Sequence, residues 1–141
     1  MSKVLVVEDD SAILETLSIF LAMEGYEMER ATSVREARAR LDQMRPDLVL
    51  LDYMLQDDTA EPVVQHLWER HGRGIPVILL TAAENPQEKR ESAGASMVIS
   101  KPFDLDILLS HMKRALDSAK VPKCSPAVIR PAESAGPSLA L

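Results

Sequence analysis

The stretch DLVLLDYML, residues 47–55, decides the fold. Leu48, Val49, Leu50 and Leu51 form an unbroken apolar run. Successive side chains of a strand point to opposite faces of its sheet, so such a run means burial on both faces. Strands buried on both faces belong to parallel sheets with helices above and below. Asp52 then ends the run where the strand leaves the sheet. Solvation alone would explain an acid at that point, and the other strand ends decide whether it does more.

Working outward, short β-branched runs alternate with stretches of helical period. KVLVV precedes a helix from Ser11, and YEMERA precedes a helix from Ser33. DLVLLD leads to a helix through Val63 to Arg70, and IPVILLTA to a short helix after Pro86. SMVIS comes last, before a helix from Asp104. The first helix stripes Ile13, Leu17, Phe20 and Leu21, with Gly25 as the residue just past its end. The second opens on Ser33-x-x-Glu36, a capping box, and stripes Val34, Ala37, Leu41 and Met44. The last stripes Leu105, Leu108, Leu109, Met112 and Leu116. Five strands alternating with five helices require right-handed crossovers and a doubly wound parallel sheet. The order 2-1-3-4-5 is expected.

The chain has 141 residues and a formal net charge of −6, which suits one domain with a full-sized core. No apolar run is long enough to span a bilayer, and no charged start with an apolar core marks a signal peptide. The single cysteine, Cys124, offers neither a disulfide framework nor a thiolate cluster. A cytoplasmic setting without membrane contact follows as the expectation. An acidic balance argues against direct nucleic-acid binding, which wants clustered Lys and Arg. From about Ala119 the periodicity stops, and residues 119–141 hold four of the nine prolines. Three basic residues against one acid give that stretch +2, leaving −8 on residues 1–118. A folded domain over 1–118 and a flexible Pro/Ala/Ser-rich tail over 119–141 are expected, with the tail contributing little to stability.

In open parallel sheets the working groups gather at the carboxyl ends of the strands. Glu8, Asp9 and Asp10 follow strand one, and Asp52 ends strand three. Thr81 and Ala82 follow strand four; Ser100, Lys101 and Pro102 follow strand five. The expected order brings these exits into a single crevice of three or four carboxylates, a hydroxyl and an ammonium. Crowded carboxylates raise one another's pKa above about 3.9. A hard divalent cation relieves this, and a few protein oxygens plus waters suit Mg2+. With the metal, Lys101 and the Thr81 hydroxyl as partners, a phosphoryl group becomes welcome, and Asp52 is a plausible nucleophile towards phosphorus.

Each member has a bland explanation by itself. The acidic run would cap the first helix, above all through Asp10. Thr81 would be a strand-end hydroxyl and Lys101 a solvated lysine. Four such coincidences at matching strand ends are less probable than one site. Together VLVVEDD, PDLVLLDYML, PVILLTA and GASMVISKPF make residues 3–118 resemble the receiver domain of bacterial two-component response regulators. The resemblance implies a flavodoxin-like fold with Asp52 as phosphoacceptor. It makes Glu8 and Asp9 the acidic pair of a Mg2+ site, with the backbone carbonyl of Met54 as a further ligand. Thr81 becomes the hydroxyl that follows the phosphoryl group, Lys101 its charge partner, and Lys101-Pro102 a cis peptide bond.

Two departures stand out. The family places Pro and then a small-residue turn after the acceptor, where this chain has Gln56-Asp57-Asp58-Thr59-Ala60, so a looser, more acidic loop is expected. Val98 occupies the switch position, where the family commonly has Tyr or Phe. Valine is too short and too stiff for an aromatic swing. The response is therefore expected in the loop after Thr81 and in the short helix that follows.

The expected function is that of a phosphoacceptor signalling protein, not a turnover enzyme. A histidine kinase or histidine phosphotransfer protein would supply the phosphoryl group, self-dephosphorylation would be slow, and output would pass by protein contact because no room is left for another output domain. Three alternatives remain. A haloacid-dehalogenase-like, Mg2+-dependent phosphatase would want a second Asp two residues on, where Met54 stands. An FMN binder of flavodoxin type wants hydroxyls and amides in its first loop, which here reads EDDS. A degenerate receiver that serves only to bind protein would not need the full set of acids, threonine and lysine.

Overall fold

The computed structural model describes residues 2–82 and 85–120. Its strands are β1 (Lys3–Val7), β2 (Glu27–Ala31), β3 (Leu48–Asp52), β4 (Val77–Thr81) and β5 (Met97–Ser100). Between and after them lie α1 (Ser11–Met23), α2 (Val34–Gln43), α3 (Glu61–His71), α4 (Pro86–Ala93) and α5 (Leu105–Lys120). All pairings are parallel, in the order β2-β1-β3-β4-β5. The α/β fold, flavodoxin-like with its strands in that sequence, is the one the strand runs imply.

Strand alternation sorts the core into two halves. Val4, Val6, Leu48, Leu50, Ile78 and Leu80 pack with Leu14, Leu17 and Leu21 of α1 and Leu108 and Met112 of α5. On the opposite face, Leu5, Val7, Val49, Leu51, Val77 and Leu79 pack with Leu41 of α2 and Val63, Val64 and Leu67 of α3. β3 and β4 are buried at every position, whereas edge strand β2 buries only Ala31. Each fully buried Leu, Ile or Val contributes about 1.5–3 kcal/mol, so the inner strands dominate the stability of the sheet.

The helix ends follow their sequence signals with two adjustments. Asp10 caps α1 by accepting from the backbone N–H of Ala12 and Ile13, and Gly25 follows the helix at φ +89°. α1 turns Leu14 fully inward and leaves Ile13 and Phe20 only partly buried, a slight rotation from the expected stripe. Ser33 caps α2 by accepting from the N–H of Glu36. The Glu36 carboxylate reaches past Ser33 to the N–H and hydroxyl of Thr32, each at 2.8 Å, because Thr32 offers it two donors.

Among the described residues no helix is long and apolar enough to cross a membrane. Helix α5 reaches Lys120, two residues past the boundary expected at 118. Residues 121–141, and with them most of the expected tail, lie outside the described residues.

Candidate functional site

Parallel pairing of Val7 with Leu51 sets Glu8 beside Asp52 at the carboxyl end of the sheet. Glu8 is completely buried, Asp52 nearly so, and Asp9 partly exposed. Oxygen atoms of the three carboxylates lie within 4.8 Å of one another. Lys101 enters from β5, its N–H bonded to the Thr81 carbonyl at 2.7 Å, which ties the β4 and β5 exits together. Its Nζ stands 2.9 Å from Glu8 Oε2 and 3.4 Å from Asp52 Oδ1. The next peptide bond, Lys101-Pro102, is cis. Thr81 is buried at the end of β4.

The electrostatics follow from this crowding. Burial, and then the charge of Glu8, push the Asp52 carboxyl up to about 7. Partial burial and Glu8 raise Asp9 as well. Burial alone would lower the Lys101 ammonium, but its hydrogen bond to Glu8 and the charge of Asp52 outweigh that and raise it. The Lys101 ammonium thus pairs with two of the three clustered carboxylates, Glu8 and Asp52. The donor set is entirely oxygen, and the repulsion recorded in Asp52 is what a hard divalent cation relieves, so these residues fit Mg2+.

Glu8, Asp9, Asp52, Thr81 and Lys101 therefore gather in one place. Asp10 turns away to cap α1, the bland role its position suggested. Met54 lies two residues beyond Asp52 with its side chain exposed. Val98 is half-buried and packs against the core half beneath α2 and α3, as does Trp68. Beside Lys101 opens an apolar cavity of about 460 Å3 walled by Ile13, Leu17, Pro102 and Phe103.

The loop after Asp52 is not loose, contrary to the expectation from its composition. Met54 and Thr59 form an antiparallel bridge, and the Leu55 N–H donates to the Asp58 carbonyl at 3.0 Å. The Asp57 carboxylate accepts from the N–H of Val34 at 2.9 Å and of Arg35 at 3.2 Å. Free N–H groups at a helix start attract an acid, and here the loop supplies it from 23 residues away.

Sequence reasoning passed over Tyr53, Glu61 and Ser92. Glu61 opens α3 and accepts from the hydroxyls of Tyr53, Thr59 and Ser92. The signal available was the aromatic directly after Asp52 and an acid directly before Pro62, each of which also reads as ordinary strand or helix-start chemistry.

Comparison with known proteins matches residues 4–113 to the response regulator receiver domain. The chain belongs to that family. The receiver is 34% identical over 119 residues to the DNA-binding dual master transcriptional regulator RpaA of Synechocystis, covering 82% of this chain and 49% of that protein. It thus spans about half the length of the curated relatives it matches. The signal receiver domain of a histidine kinase from Syntrophus aciditrophicus is similar at 31% identity and a TM-score of 0.78, covering 92% of this chain and all of that one. A CheY-like receiver domain protein from Methanospirillum hungatei is similar at 29% identity and a TM-score of 0.77, over 84% and 96% of the two chains.

Proposed function

We propose that this receiver accepts a phosphoryl group on Asp52 from a phosphohistidine of a histidine kinase or histidine phosphotransfer protein. The observation that carries the reading is Lys101 Nζ held 2.9 Å from Glu8 and 3.4 Å from Asp52, within a cluster of three acids. Glu8, Asp9, Asp52 and the Met54 carbonyl would hold Mg2+. The ion would neutralise charge on the acids and on the phosphoryl oxygens.

An Asp52 carboxylate oxygen attacks phosphorus, the P–N bond breaks, and the imidazole leaves with the electron pair. Nucleophilic attack needs the ionised carboxylate, and Lys101 favours that form against burial and Glu8. Thr81 and Lys101 then donate to the oxygens of the transferred group. Attack of water at phosphorus breaks the O–P bond, returning the carboxylate and inorganic phosphate. This is a slow reset rather than turnover of a separate substrate. Met54 stands where a phosphatase of the aspartyl-nucleophile type wants a second acid, which argues against that alternative. The assembled acids and lysine argue against a receiver that only binds protein.

The signal would leave by contact with a further protein, in a cytoplasmic setting and with no nucleic-acid contact by this acidic domain itself. Incubation with Mg2+ and acetyl phosphate is expected to add a single phosphoryl mass to the chain and none to Asp52→Asn. An adduct of equal rate in the variant would overturn the assignment.

A further inference from the structure

Phosphorylation at Asp52 needs a mechanical route to the surface, and Val98 cannot supply the usual ring. Tyr53, adjacent to Asp52, is buried with the Val49 and Leu51 half of the core. Its hydroxyl donates to Glu61 Oε2 at 3.1 Å, and the Ser92 hydroxyl of α4 donates to the same oxygen at 3.0 Å. The other oxygen, Oε1, takes the hydroxyl of Thr59, the residue bridged to Met54. Lys89 of α4 stands 5.2 Å from the centre of the Tyr53 ring. One carboxylate thus touches both arms of the acceptor loop and helix α4.

Helix α4 is placed to respond. Of its eight residues only Ala93 is buried. A helix with so little apolar anchorage lies at the low end of local stability, where single hydrogen bonds decide its position. Tyr53 shares a rigid peptide unit with Asp52, so a backbone shift at the acceptor displaces the phenol, and the phenol is bonded to an acid that also holds Ser92.

We propose that Glu61 is the junction that couples the acceptor loop to α4, with Tyr53 as its input and Ser92 as its output. This rests on the reading of Asp52 as phosphoacceptor and replaces an aromatic swing at residue 98 with a hydrogen-bonded relay. Neither Ser92 nor Tyr53 belongs to the metal and phosphoryl site, so the relay is separable from the chemistry.

Hydrogen exchange with Mg2+, with and without beryllofluoride, tests it on the full chain. In the wild type, protection of residues 86–93 is expected to change. Ser92→Ala and Tyr53→Phe should each lose most of that change, while Ser92→Thr, which keeps the hydroxyl, should retain it. All three variants should still gain the acetyl phosphate adduct at the wild-type rate. An undiminished α4 response in the Ala and Phe variants, with the adduct intact, sinks the junction alone. A wild-type chain that gains no adduct sinks the phosphoacceptor reading and this inference with it.

Discussion

A Cβ built on Gly94 would lie 2.5 Å from Cη2 of the Trp68 indole and 2.8 Å from its Cζ2. The same residue closes α4 in the left-handed region, at φ 80° and ψ 22°. Space and backbone therefore both demand glycine. The Arg73 guanidinium also lies 4.0 Å from the indole centroid, so the ring is held by a second neighbour. Gly94→Ala is expected to cost on the order of 2–4 kcal/mol, combining left-handed strain with overpacking. The measurement is a lowered urea midpoint at unchanged slope. Trp68→Phe in that background should recover part of the loss.

Removing the ammonium should cost more than removing an acid. Lys101→Met leaves Glu8 fully buried without its 2.9 Å partner. Breaking a buried pair in this way typically costs about 3–5 kcal/mol. Thermal melts at pH 8 should show the full loss. The loss should shrink towards pH 5, below the value of about 7 to which Asp52 is pushed, because a protonated Asp52 no longer needs the ammonium, and saturating Mg2+ should reverse part of it at pH 8.

Asp52 gives the opposite sign. Its folded carboxyl titrates at about 7 against an ordinary 3.8, so across that window the folded chain keeps a proton that the unfolded chain has lost. Stability therefore falls as pH rises through the window. Without Mg2+, Asp52→Asn should be more stable than wild type at pH 8, by on the order of 1–3 kcal/mol, and should match it near pH 4. Added Mg2+ should stabilise the wild type far more than the variant. A variant less stable than wild type at pH 8 would contradict this.

Neighbouring acids should fail in different ways. Asp10→Ala removes the α1 cap and should cost about 1 kcal/mol with little change in Mg2+ affinity. Asp9→Ala should weaken Mg2+ binding sharply while leaving the melting temperature of the metal-free chain unchanged or raised, because one crowded charge is gone. Calorimetric Mg2+ titration beside thermal melts separates the two. Equal effects on affinity would place the acidic run one residue out of register.

Asp57→Ala should release two ends at once. The amides of Val34 and Arg35 lose their acceptor, so their hydrogen exchange should speed up, together with that of residues 54–59. The backbone N–H of Val34 is the main cause that holds the Asp57 carboxyl below its ordinary value. That contribution is present above the unfolded pKa and is lost as the pH falls through the folded one. Acidification of the wild type below its folded pKa should therefore reproduce the variant's exchange pattern locally.

The sheet and the acidic crevice were legible because strand polarity is one-dimensional information. A run such as Leu48–Leu51 states its own burial, and a parallel sheet sends every strand end to the same edge. Glu8, Asp52, Thr81 and Lys101 needed nothing further to be brought together. The loop 56–60 was misjudged because its stiffness comes from Val34 and Arg35, which a local reading of turn residues cannot see. Glu61 was invisible for the same reason. Its partners at 53, 59 and 92 share no period: the acceptor loop folds Tyr53 and Thr59 back to it, and the packing of α3 against α4 brings Ser92. In the α1 stripe Leu17 and Leu21 are buried as expected, but Leu14 takes the inward place given to Ile13, because both are apolar and only the shape of the sheet chooses between them.

Asp52 and Tyr53 are consecutive in an extended segment and so face opposite sides of the sheet. Asp52 keeps the register of Leu48 and Leu50, towards α1 and α5, while Tyr53 keeps that of Val49 and Leu51, towards α3. The strand therefore acts as a bulkhead with a fitting on each side. Whatever arrives at the acid meets one wall of the molecule, and whatever leans on the phenol meets the other. If Asp52 is the phosphoacceptor as proposed, the donor and a protein that reads the Tyr53 side would approach opposite walls and would not contend for one berth.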